Sequence, residues 1–573
     1  MPESKIPLAT LRHSAAHLLA AAVLDMFPEA QLGVGPAIDN GFYYDFQLPR
    51  TLQPADFLLL EKKIKHLIKQ NLPFTRTEVS LATARKKLTQ TNQKFKLELL
   101  DDLAQKGHKK VSFYQVGQFE DLCAGPHLSH TGKLKAFKLT KIAGSYWRGD
   151  PTKAQLQRIY GLAFEQPAEL QKWLTLQKEA QKRDHRKLGE KLGLFSFHEA
   201  APGSVFWHPK GKFIYDSLIN YLRQTNTTRG YQEIKTPLIL SSELWKKSGH
   251  YGNFRENMYF TSFENREFAV KPMNCPGCCL MFGEKKPSYR ELPLRLAEFG
   301  TVERLELSGV MHGLLRVREF TQDDAHIFCL PNQLQSEIER IIDYTLATYR
   351  KFNFTEFEIF LATRPAKALG SAKIWQTATA ALEKALQKQK IKYGIKTGEG
   401  AFYGPKIEFN VRDALQRNWQ LGTCQIDFNL PERFDLNFIN AQGLAKRPVL
   451  IHRAIVGSLE RFLGILLEHT AGELPHFLQP ELLRFIPVSH ELLPKIQKIW
   501  HQFTEFAPRV TLADSADSLS KKIRTGEIAK IPFLVVVGEK ELQSNKLTVR
   551  VRGEDKQRVL SLAGVKKLLQ DAN

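Results

Sequence analysis

Residues 304–326 read RLELSGVMHGLLRVREFTQDDAH, and this stretch decides how the middle of the chain is interpreted. It begins with Arg-x-Glu, continues through a loop and ends in a dense run of cationic, aromatic and acidic residues. Arg-x-Glu by itself is too common to carry a signal. Two further segments flank it, YQEIKTP at residues 231–237 and GSLER at residues 457–461. The first approaches its proline as a strand, and the second opens a helix.

In this order, the three segments resemble the signature motifs of class II aminoacyl-tRNA synthetases. The resemblance implies a multidomain α+β chain whose catalytic core is an antiparallel sheet. It also implies that an amino-acid carboxylate attacks the α-phosphate of ATP, which brings two anions together. Such a site needs fixed cations, and arginine suits it because its planar fork binds phosphate oxygens in two places.

The resemblance gives each motif residue a role, with magnesium accompanying ATP. Arg304 holds the α-phosphate and Arg461 the γ-phosphate, while Arg316 supports the phosphates or the amino acid. Glu306 accepts from the adenine amino group, and Phe320 stacks on the adenine ring.

One cysteine and two histidines lie in three distant segments of the same region: Cys275 in KPMNCPG, His326 in the stretch above and His452 in LIHRA. Three nitrogen and sulfur ligands leave one tetrahedral position of a zinc ion open for a substrate. A lone buried histidine is usually a core residue, and a lone cysteine usually packs as a small hydrophobe. Because each residue lies inside a signature segment, we expect one zinc ion per subunit instead.

This combination resembles the threonyl-tRNA synthetase family, and the similarity extends from about His13 into the last domain. In that family the zinc ion binds the amino and hydroxyl groups of L-threonine together. Valine lacks the hydroxyl, so a site built around that group rejects it strongly. By the resemblance, Asp324 accepts from the threonine hydroxyl, and three residues orient the substrate: Gln322, Tyr403 and Lys406.

Such a site discriminates poorly between threonine and serine. Serine differs from threonine by one methyl group, which is worth only about 10- to 200-fold in discrimination. A second, hydrolytic site is therefore expected, and the N-terminal region has candidates. His13 and His17 are spaced to share one helix face, and Cys123 and His127 have the same spacing in DLCAGPH.

The two motifs that contain these four residues resemble those of the editing domain that threonyl- and alanyl-tRNA synthetases share. The resemblance adds Tyr44, Lys96 and Asp121, and it implies hydrolysis of seryl-tRNA by water beside histidines that titrate near neutral pH. The same His/His/Cys/His set is also a credible zinc site. We expect hydrolysis without a metal, because the editing site of the threonyl family does not need zinc.

From about residue 476 the chain alternates strand-like and helical stretches, which predicts a small α/β domain. The strand-like stretches are residues 485–488, 510–513, 533–537 and 547–551. The domain resembles the anticodon-binding domain of this synthetase subclass, where single-stranded bases are read by stacking and by hydrogen bonds to their edges. The resemblance assigns base contacts to Glu541 and Arg550. It assigns phosphate contacts to four cations: Lys521, Lys522, Arg524 and Lys530.

A chain of 573 residues is too long for one core. We expect an editing domain over residues 1–165, a helical linker over 166–199, a catalytic domain over 200–475 and the anticodon-binding domain over 476–573. The linker prediction rests on a basic stretch, 170–192, that has no proline or glycine before Gly189. The family usually begins with a further ubiquitin-like domain. Since only twelve residues precede His13, we expect that domain to be missing.

The net charge is +22, from 82 lysines and arginines against 60 aspartates and glutamates. It favours a polyanionic partner, which here is threonine tRNA, although a solvated basic surface gives the same charge. Six cysteines do not form a disulfide framework in so long a chain. The sequence has no apolar run long enough to cross a bilayer, and Met1–Ala9 lack the zones of a signal peptide. We therefore expect a cytoplasmic protein with no membrane partner.

Two other functions stay open. One is a specialised or inhibitor-resistant paralogue with altered tRNA contacts. Ala124 stands where the family has arginine, and SADSLS at 515–520 replaces a charged motif. The other is an RNA-binding regulator without catalysis, which the retained motif arginines and zinc trio argue against. A homodimer is expected, because segment 231–237 lies at the subunit contact in relatives and twofold pairing is the commonest oligomer.

Overall fold

The computed structural model describes residues 6–39 and 41–572. Contacts within the chain divide it into two units, Met1–Lys178 and Glu179–Asn573. Part of the segment in which we expect no signal peptide, residues 1–5, lies outside the described residues. None of the helices in the described part combines the length and the apolarity that a bilayer crossing needs.

Among its described residues, the first unit has four α-helices before the helix at its end, and two antiparallel sheets. Its elements are α1 (Leu8–Met26), β1 (Gln31–Leu32), β2 (Ala37–Ile38), β3 (Gly41–Gln47), α2 (Asp56–Gln70), β4 (Thr75–Ser80), α3 (Leu81–Gln90), α4 (Lys94–Gln105), β5 (Lys110–Val116), β6 (Phe119–Leu122), β7 (Ala136–Tyr146) and β8 (Gln155–Phe164). The larger sheet has the order β1-β3-β8-β7, with β2 paired to β3, and the smaller has the order β4-β5-β6.

Helix α1 lies at the centre of this unit's core. Leu11 and residues 14–23 are buried, so the helix is enclosed on nearly every side. Five of its residues are alanines between 15 and 22, whose short side chains allow neighbouring elements to approach closely. The prediction that residues 13–17 are helical is confirmed, and it places both histidines one turn apart on α1.

The basic stretch 170–192 is helical but is not one helix. It contains the end of α5 (Pro167–Arg183) and all of α6 (His185–Leu192). Asp184 separates them, because its side chain accepts the Arg186 amide at 2.9 Å and so caps the start of α6. Gly193, with a φ of 65°, ends α6 in the left-handed conformation that favours glycine.

The second unit is built on one large sheet. Its elements up to the last domain are β9 (Phe195–Ser196), β10 (Phe206–Trp207), α7 (Pro209–Thr228), β11 (Gln232–Glu233), β12 (Ile239–Ser241), α8 (Ser242–Ser248), α9 (His250–Phe254), β13 (Phe260–Phe263), β14 (Arg266–Val270), α10 (Cys275–Lys285), β15 (Leu294–Glu303), β16 (Glu319–Cys329), α11 (Leu334–Lys351), β17 (Phe357–Ala362), α12 (Ala372–Lys388), β18 (Gly394–Lys396), β19 (Lys406–Arg412), β20 (Asn418–Asp427), α13 (Asn429–Arg433), β21 (Phe438–Ile439), β22 (Ala445–Lys446), β23 (Val449–Ser458) and α14 (Leu459–Thr470).

Eight strands form this sheet in the order β11-β15-β16-β23-β20-β19-β17-β18. The outermost pair at each end is parallel, and the pairs between them are antiparallel. The three signature segments are brought together here, since β11, β15–β16 and β23–α14 contain them. Helices α7, α11, α12 and α14 contribute buried residues to the same core as the sheet.

The chain ends in a five-stranded sheet of order β25-β24-β26-β27-β28. Its elements are β24 (Leu483–Pro487), α15 (Leu493–Trp500), β25 (Val510–Leu512), α16 (Leu519–Ile528), β26 (Phe533–Val537), α17 (Glu539–Ser544), β27 (Lys546–Val551), β28 (Arg558–Ser561) and α18 (Leu562–Asp571). Four of these strands match the strand-like segments of the sequence. The fifth, β28, is mostly exposed and therefore lacks the apolar pattern that marks a strand.

Candidate active site

Strand β16 presents alternate side chains to the open face of the sheet, because side chains along a strand alternate in direction. Four residues share that face: Phe320, Gln322, Asp324 and His326. The ladder to β23 is irregular between Gln322 and Asp324. There the buried Asp323 carboxylate accepts the amides of Ile455 and Val456 at 3.0 and 3.1 Å, so the backbone groups at the irregularity are satisfied.

A cavity of about 350 Å³ lies beside this strand. Its lining includes all five residues to which the sequence assigned ATP contacts: Arg304, Glu306, Arg316, Phe320 and Arg461. The Arg304 guanidinium lies 5.0 Å from the centre of the Phe320 ring. Desolvation lowers the pKa of Arg304 and of Arg461, but arginine stays protonated in proteins. The cavity therefore combines fixed positive charge with an aromatic face.

Two of these residues are already paired with each other. Arg316 donates to the Glu306 carboxylate at 2.9 Å. The Arg316 side chain is 52% exposed, so water screens the pair and it exchanges partners readily. Glu306 is thus held at the cavity and remains able to accept from another donor.

Arg461 lies in the first turn of helix α14, where the N-cap Ser458 accepts its amide at 3.1 Å. The positive end of this helix faces the cavity, which favours an anion there.

The proposed zinc ligands converge next to the cavity. Cys275 starts α10, and His326 and His452 lie directly opposite each other on β16 and β23. Their ligand atoms are all within 4.8 Å of one another, and all three side chains are buried. Burial raises the pKa of the Cys275 thiol and lowers that of His326. His326 Nε2 has no hydrogen-bond partner among the described residues.

These features fit a divalent metal. A cation offsets the cost of a buried thiolate and takes up a nitrogen lone pair that is otherwise unsatisfied. His452 Nε2 lies 3.0 Å from an Asp427 carboxylate oxygen, which is how a ligating imidazole is usually oriented. Cys278 and Cys279 are fully buried as well, but neither belongs to the group of mutually close ligand atoms.

Two of the residues assigned to threonine, Asp324 and Tyr403, lie beside the two histidines of this group. Asn274 donates to Asp324 at 3.1 Å. Tyr403 donates to Gln425 at 2.5 Å, and its ring centre lies 5.1 Å from that of His452. Lys406, by contrast, has its Nζ 2.7 Å from a Glu408 carboxylate oxygen, so it is engaged within β19.

Sequence reasoning missed two buried groups at this site, His250 and Asp427. His250 Nε2 lies 3.8 Å from the Cys275 sulfur, and its Nδ1 lies 2.7 Å from the Ser248 hydroxyl. Burial lowers the pKa of His250 to about 4, so the imidazole is neutral. Neither residue has a spacing in the sequence that connects it to Cys275 or His452, because both are brought there by the folding of separate elements.

A second cluster lies in the first unit. His13 and His17 on α1 face the loop after β6, which provides Cys123 and His127. The Cys123 sulfur is 3.3 Å from His13 Nε2 and 3.3 Å from His127 Nε2. Ser14 on α1 contacts His127 Nδ1 at 3.1 Å, which fixes the orientation of that ring.

The floor of this cluster is a buried ionic group centred on Asp121. Lys96 and Tyr44 donate to its carboxylate at 2.8 and 2.6 Å. His17 Nε2 lies 3.9 Å from the same carboxylate. The structure thus brings together all seven residues that the sequence assigned to editing: His13, His17, Tyr44, Lys96, Asp121, Cys123 and His127.

The expectation that the histidines of this cluster titrate near neutral pH is wrong, because burial holds their pKa values below the usual range. Burial lowers the pKa of His13, lowers that of His17 further and lowers that of His127 to about 2. Burial also raises the pKa of the Cys123 thiol to about 11. The four residues have ligand atoms close enough for a metal ion. A cavity of about 440 Å³ beside Cys123 is lined by Ala124, Arg76 and Lys110, among others.

The residues assigned to tRNA in the last domain do not form one cluster. Glu541 accepts from the Thr548 hydroxyl at 2.8 Å and from the Gly538 amide at 3.0 Å. Arg550 lines a separate cavity of about 360 Å³ together with Lys530 and Arg552.

The assignment of Lys522 to a phosphate contact is wrong. Lys522 is only 4% exposed, because it lies on the face of α16 that packs against the sheet, so it is not available to a phosphate. Arg524 is exposed on the same helix. Lys521 is bonded to Asp517 at 2.7 Å, and Lys530 is bonded to Glu473 at 2.8 Å.

Three family models match the chain. The tRNA synthetase class II core domain (G, H, P, S and T) matches residues 259–470. The anticodon binding domain matches residues 483–572. The threonyl and alanyl tRNA synthetase second additional domain matches residues 111–160. The expected class II core, editing-type domain and anticodon-binding domain are thereby confirmed.

Curated relatives are similar over nearly the whole chain. A threonine--tRNA ligase of Carboxydothermus hydrogenoformans is 48% identical over 542 residues, which are 95% of this chain and 85% of the relative. That of Clostridium tetani is 45% identical over 96% of this chain and 86% of the relative.

Two solved structures are similar as well. That of the RNA binding domain of threonyl-tRNA synthetase from Cryptosporidium parvum has a TM-score of 0.66 and 42% identity, over 68% of this chain and 98% of that one. The structure of a putative threonyl-tRNA synthetase of Aeropyrum pernix has a TM-score of 0.60 and 31% identity, over 68% of this chain and 96% of that one. At these identities and coverages, the chain belongs to the threonyl-tRNA synthetase family.

Proposed function

We propose that this chain is a threonine--tRNA ligase that activates threonine with ATP and transfers it to threonine tRNA. A second site hydrolyses seryl-tRNA. One observation carries the proposal: the arginine-lined cavity and the Cys275/His326/His452 group lie side by side along strand β16. A carboxylate of an amino acid held at the second group can therefore reach a phosphate held in the first.

Activation depends on placing cations before charge builds up on the α-phosphate. Arg304 and Arg461 line the cavity and stay charged despite partial burial, so they stabilise that charge without rearranging. Phe320 offers a face to adenine, and Glu306 an acceptor to its amino group. Magnesium accompanies ATP, as hard cations accompany phosphates generally.

Threonine selection depends on the buried trio. Cys275, His326 and His452 would hold zinc, which would supply a Lewis acid for the amino and hydroxyl groups of threonine. Asp324, oriented by the Asn274 amide at 3.1 Å, accepts from the threonine hydroxyl. Tyr403 and Gln322 orient the substrate, and Lys406 joins them by exchanging Glu408 for the substrate. Valine leaves these polar groups unpaired, and it is rejected for that reason.

Editing depends on neutral groups around a pocket for the 3′ end of mischarged tRNA. A water beside His13 and His17 attacks the carbonyl carbon of the seryl ester, and a neutral imidazole accepts its proton. The bond to the tRNA oxygen then breaks, the imidazole returns the proton to that oxygen, and serine and the free tRNA hydroxyl are released. Lys96 and Tyr44 hold the Asp121 carboxylate in place below the histidines. We propose that no metal takes part, although the four-residue set satisfies the distances for one.

The double change His13→Ala plus His17→Ala is expected to leave threonine charging normal and to make seryl-tRNA accumulate. The reason is that one methyl group gives the synthetic site only about 10- to 200-fold discrimination. The measurement is aminoacylation of purified threonine tRNA with labelled serine and with labelled threonine, with wild type and variant in parallel.

A matched control is His66→Ala, which removes an exposed histidine of the same unit and is expected to behave as wild type. If the unmutated chain already accumulates seryl-tRNA at the rate of the double variant, the editing site is inactive. Zinc found in the first unit, and lost with Cys123→Ala, would replace the metal-free mechanism.

Deacylation of seryl-tRNA is expected to keep its rate from about pH 8 to about pH 6. Free histidine titrates near 6.5, but burial lowers the pKa of His13 and lowers that of His17 further. Both imidazoles therefore remain neutral, and able to accept a proton, at a pH where an exposed histidine is charged. A pH–rate profile at saturating seryl-tRNA measures this, and a fall centred near pH 6.5 would contradict it.

The experiment that tests the whole function is aminoacylation of purified threonine tRNA, with threonine-dependent ATP–pyrophosphate exchange as the partial reaction. Exchange with no charging of any threonine tRNA would favour the specialised paralogue, for which Ala124 and residues 515–520 are the relevant observations. Absence of both activities would favour an RNA-binding regulator.

The remaining assignments are part of the same proposal. We place the editing domain at residues 1–165, the linker at 166–199, the catalytic domain at 200–475 and the anticodon-binding domain at 476–573. Glu541 and Arg550 contact anticodon bases. The enzyme is a cytoplasmic homodimer, paired through the segment 231–237.

A further inference from the structure

His185 is a fully buried histidine outside the ATP cavity. It is the first residue of α6, and two of its atoms contact one oxygen of Glu468 on α14. Its backbone amide donates at 3.0 Å, and its Nδ1 lies at 2.6 Å. Because the carboxylate accepts, Nδ1 carries the proton and Nε2 is left as an acceptor.

The acceptor Nε2 is used by the loop that leads to Arg316. The amide of Leu314 donates to it at 3.0 Å. Leu314 is the middle of a one-turn 3-10 helix, Gly313–Leu315. Gly313 has a φ of +51°, and a β-carbon there would lie 2.2 Å from His185 Nε2. The turn therefore lies directly on the imidazole ring.

This turn is part of the ATP cavity. Leu314, Leu315 and Arg316 line it, and the Leu315 carbonyl accepts from Arg461 at 3.4 Å. On its other side the turn packs against α14, where a β-carbon on Gly464 would lie 3.0 Å from that of Leu314. The hydrogen bond from Leu314 to His185 thus fixes the backbone of a turn that precedes Arg316 in the chain and contacts Arg461. Both arginines are assigned to the phosphates.

A second connection runs from the same carboxylate. The other oxygen of Glu468 accepts from Arg417, whose guanidinium lies 5.1 Å from the centre of the Trp419 ring. The Arg461 guanidinium lies 5.5 Å from that ring. Two series of contacts therefore connect His185 to Arg461. One passes through the 313–315 turn, and the other passes through Glu468, Arg417 and Trp419.

We propose that His185 is a positioning residue for ATP binding: through the Leu314 amide, it holds the 313–315 turn where Arg316 and Arg461 meet the phosphates. This inference rests on the proposed ATP site. Asp184, His185 and Glu468 are close enough to hold a metal ion. Both ring nitrogens of His185 are used by protein groups, however, so neither has a lone pair free for one.

Two substitutions separate the functions of the two ring nitrogens. In His185→Asn the amide nitrogen takes about the place of Nδ1, so the contact with Glu468 is kept and the acceptor for Leu314 is lost. In His185→Gln the amide oxygen reaches about the place of Nε2, so the acceptor is kept. Both replacement side chains are polar and smaller than histidine. A loss of ATP affinity that is caused only by altered packing therefore affects both variants.

The measurements use the full chain. They are KM for ATP and KM for threonine in pyrophosphate exchange, and direct binding of magnesium with a non-hydrolysable ATP analogue by calorimetry. His185→Asn is expected to raise KM for ATP and Kd for the analogue roughly tenfold, the cost of one unpaired buried amide, with KM for threonine unchanged. His185→Gln is expected to restore most of the ATP affinity. His501→Asn, at an exposed histidine of the last domain, is the control and keeps wild-type values.

Gly313→Ala gives an independent route, since its methyl group displaces the turn without changing His185. The same ATP-selective loss is expected, and it keeps the inference testable if the His185 variants do not fold. Equal losses for ATP and threonine in both His185 variants, or ATP affinity in His185→Asn and Gly313→Ala equal to wild type, would overturn the positioning role. A wild-type chain that binds the analogue but exchanges no pyrophosphate would instead overturn the proposed function, while the binding data still decide the role of His185.

Discussion

Alanine in place of Arg304 or of Arg461 is expected to reduce threonine-dependent ATP–pyrophosphate exchange by about 10²- to 10³-fold. Each guanidinium lines the cavity beside β16, and each is partly withdrawn from water, where a fixed charge acts more strongly on a developing anion. Arg316, the third arginine of this cavity, is 52% exposed, so water weakens its charge and it does not make up for the loss. Initial exchange rates at saturating ATP and threonine measure the loss.

The control is Arg340→Ala. This arginine lies on α11, is 65% exposed and has only a long contact of 3.9 Å to Glu337, so exchange is expected to stay at the wild-type rate. Near-normal exchange in both Arg304→Ala and Arg461→Ala would show that activation does not occur in this cavity.

Alanine in place of Cys275 is expected to remove nearly all the zinc from the purified chain, leaving less than about a tenth of an ion per chain against one for the wild type. The thiolate is one of three ligands, and the two that remain, His326 and His452, do not complete a site that also needs a substrate. Threonine activation falls with the metal, while binding of an ATP analogue is kept. Elemental analysis measures zinc, and calorimetry measures the nucleotide.

Cysteines of the same chain provide the controls. Cys329→Ala removes an equally buried thiol at the end of β16 and is expected to leave zinc unchanged. Cys278→Ala and Cys279→Ala test the neighbours, which lie outside the close group of ligand atoms and are expected to keep zinc as well. Full zinc content with normal threonine activation in Cys275→Ala would contradict the assignment.

Much of the architecture was accessible from local patterns. The alternation after residue 476 predicted four of the five strands of the last sheet, because their buried residues are apolar. The fifth strand is mostly exposed and has no such pattern. The basic stretch 170–192 was predicted as helical, but its break at Asp184 depends on a single side-chain cap that periodicity does not reveal. Lys522 was assigned to a phosphate by its charge, and only packing shows that it is buried.

The sequence by itself determined the family, the candidate ligands and the candidate cations, because those depend on residue type and order along the chain. Tertiary structure alone decided which residues meet. His326 and His452 are neighbours because β16 and β23 pair in one register, and a shift of one residue would turn one imidazole to the opposite face. His250, Asp427 and His185 lie far in sequence from the groups that they contact, so no local pattern marks them. Their functions arise from burial and hydrogen bonding, which exist only after the chain has folded.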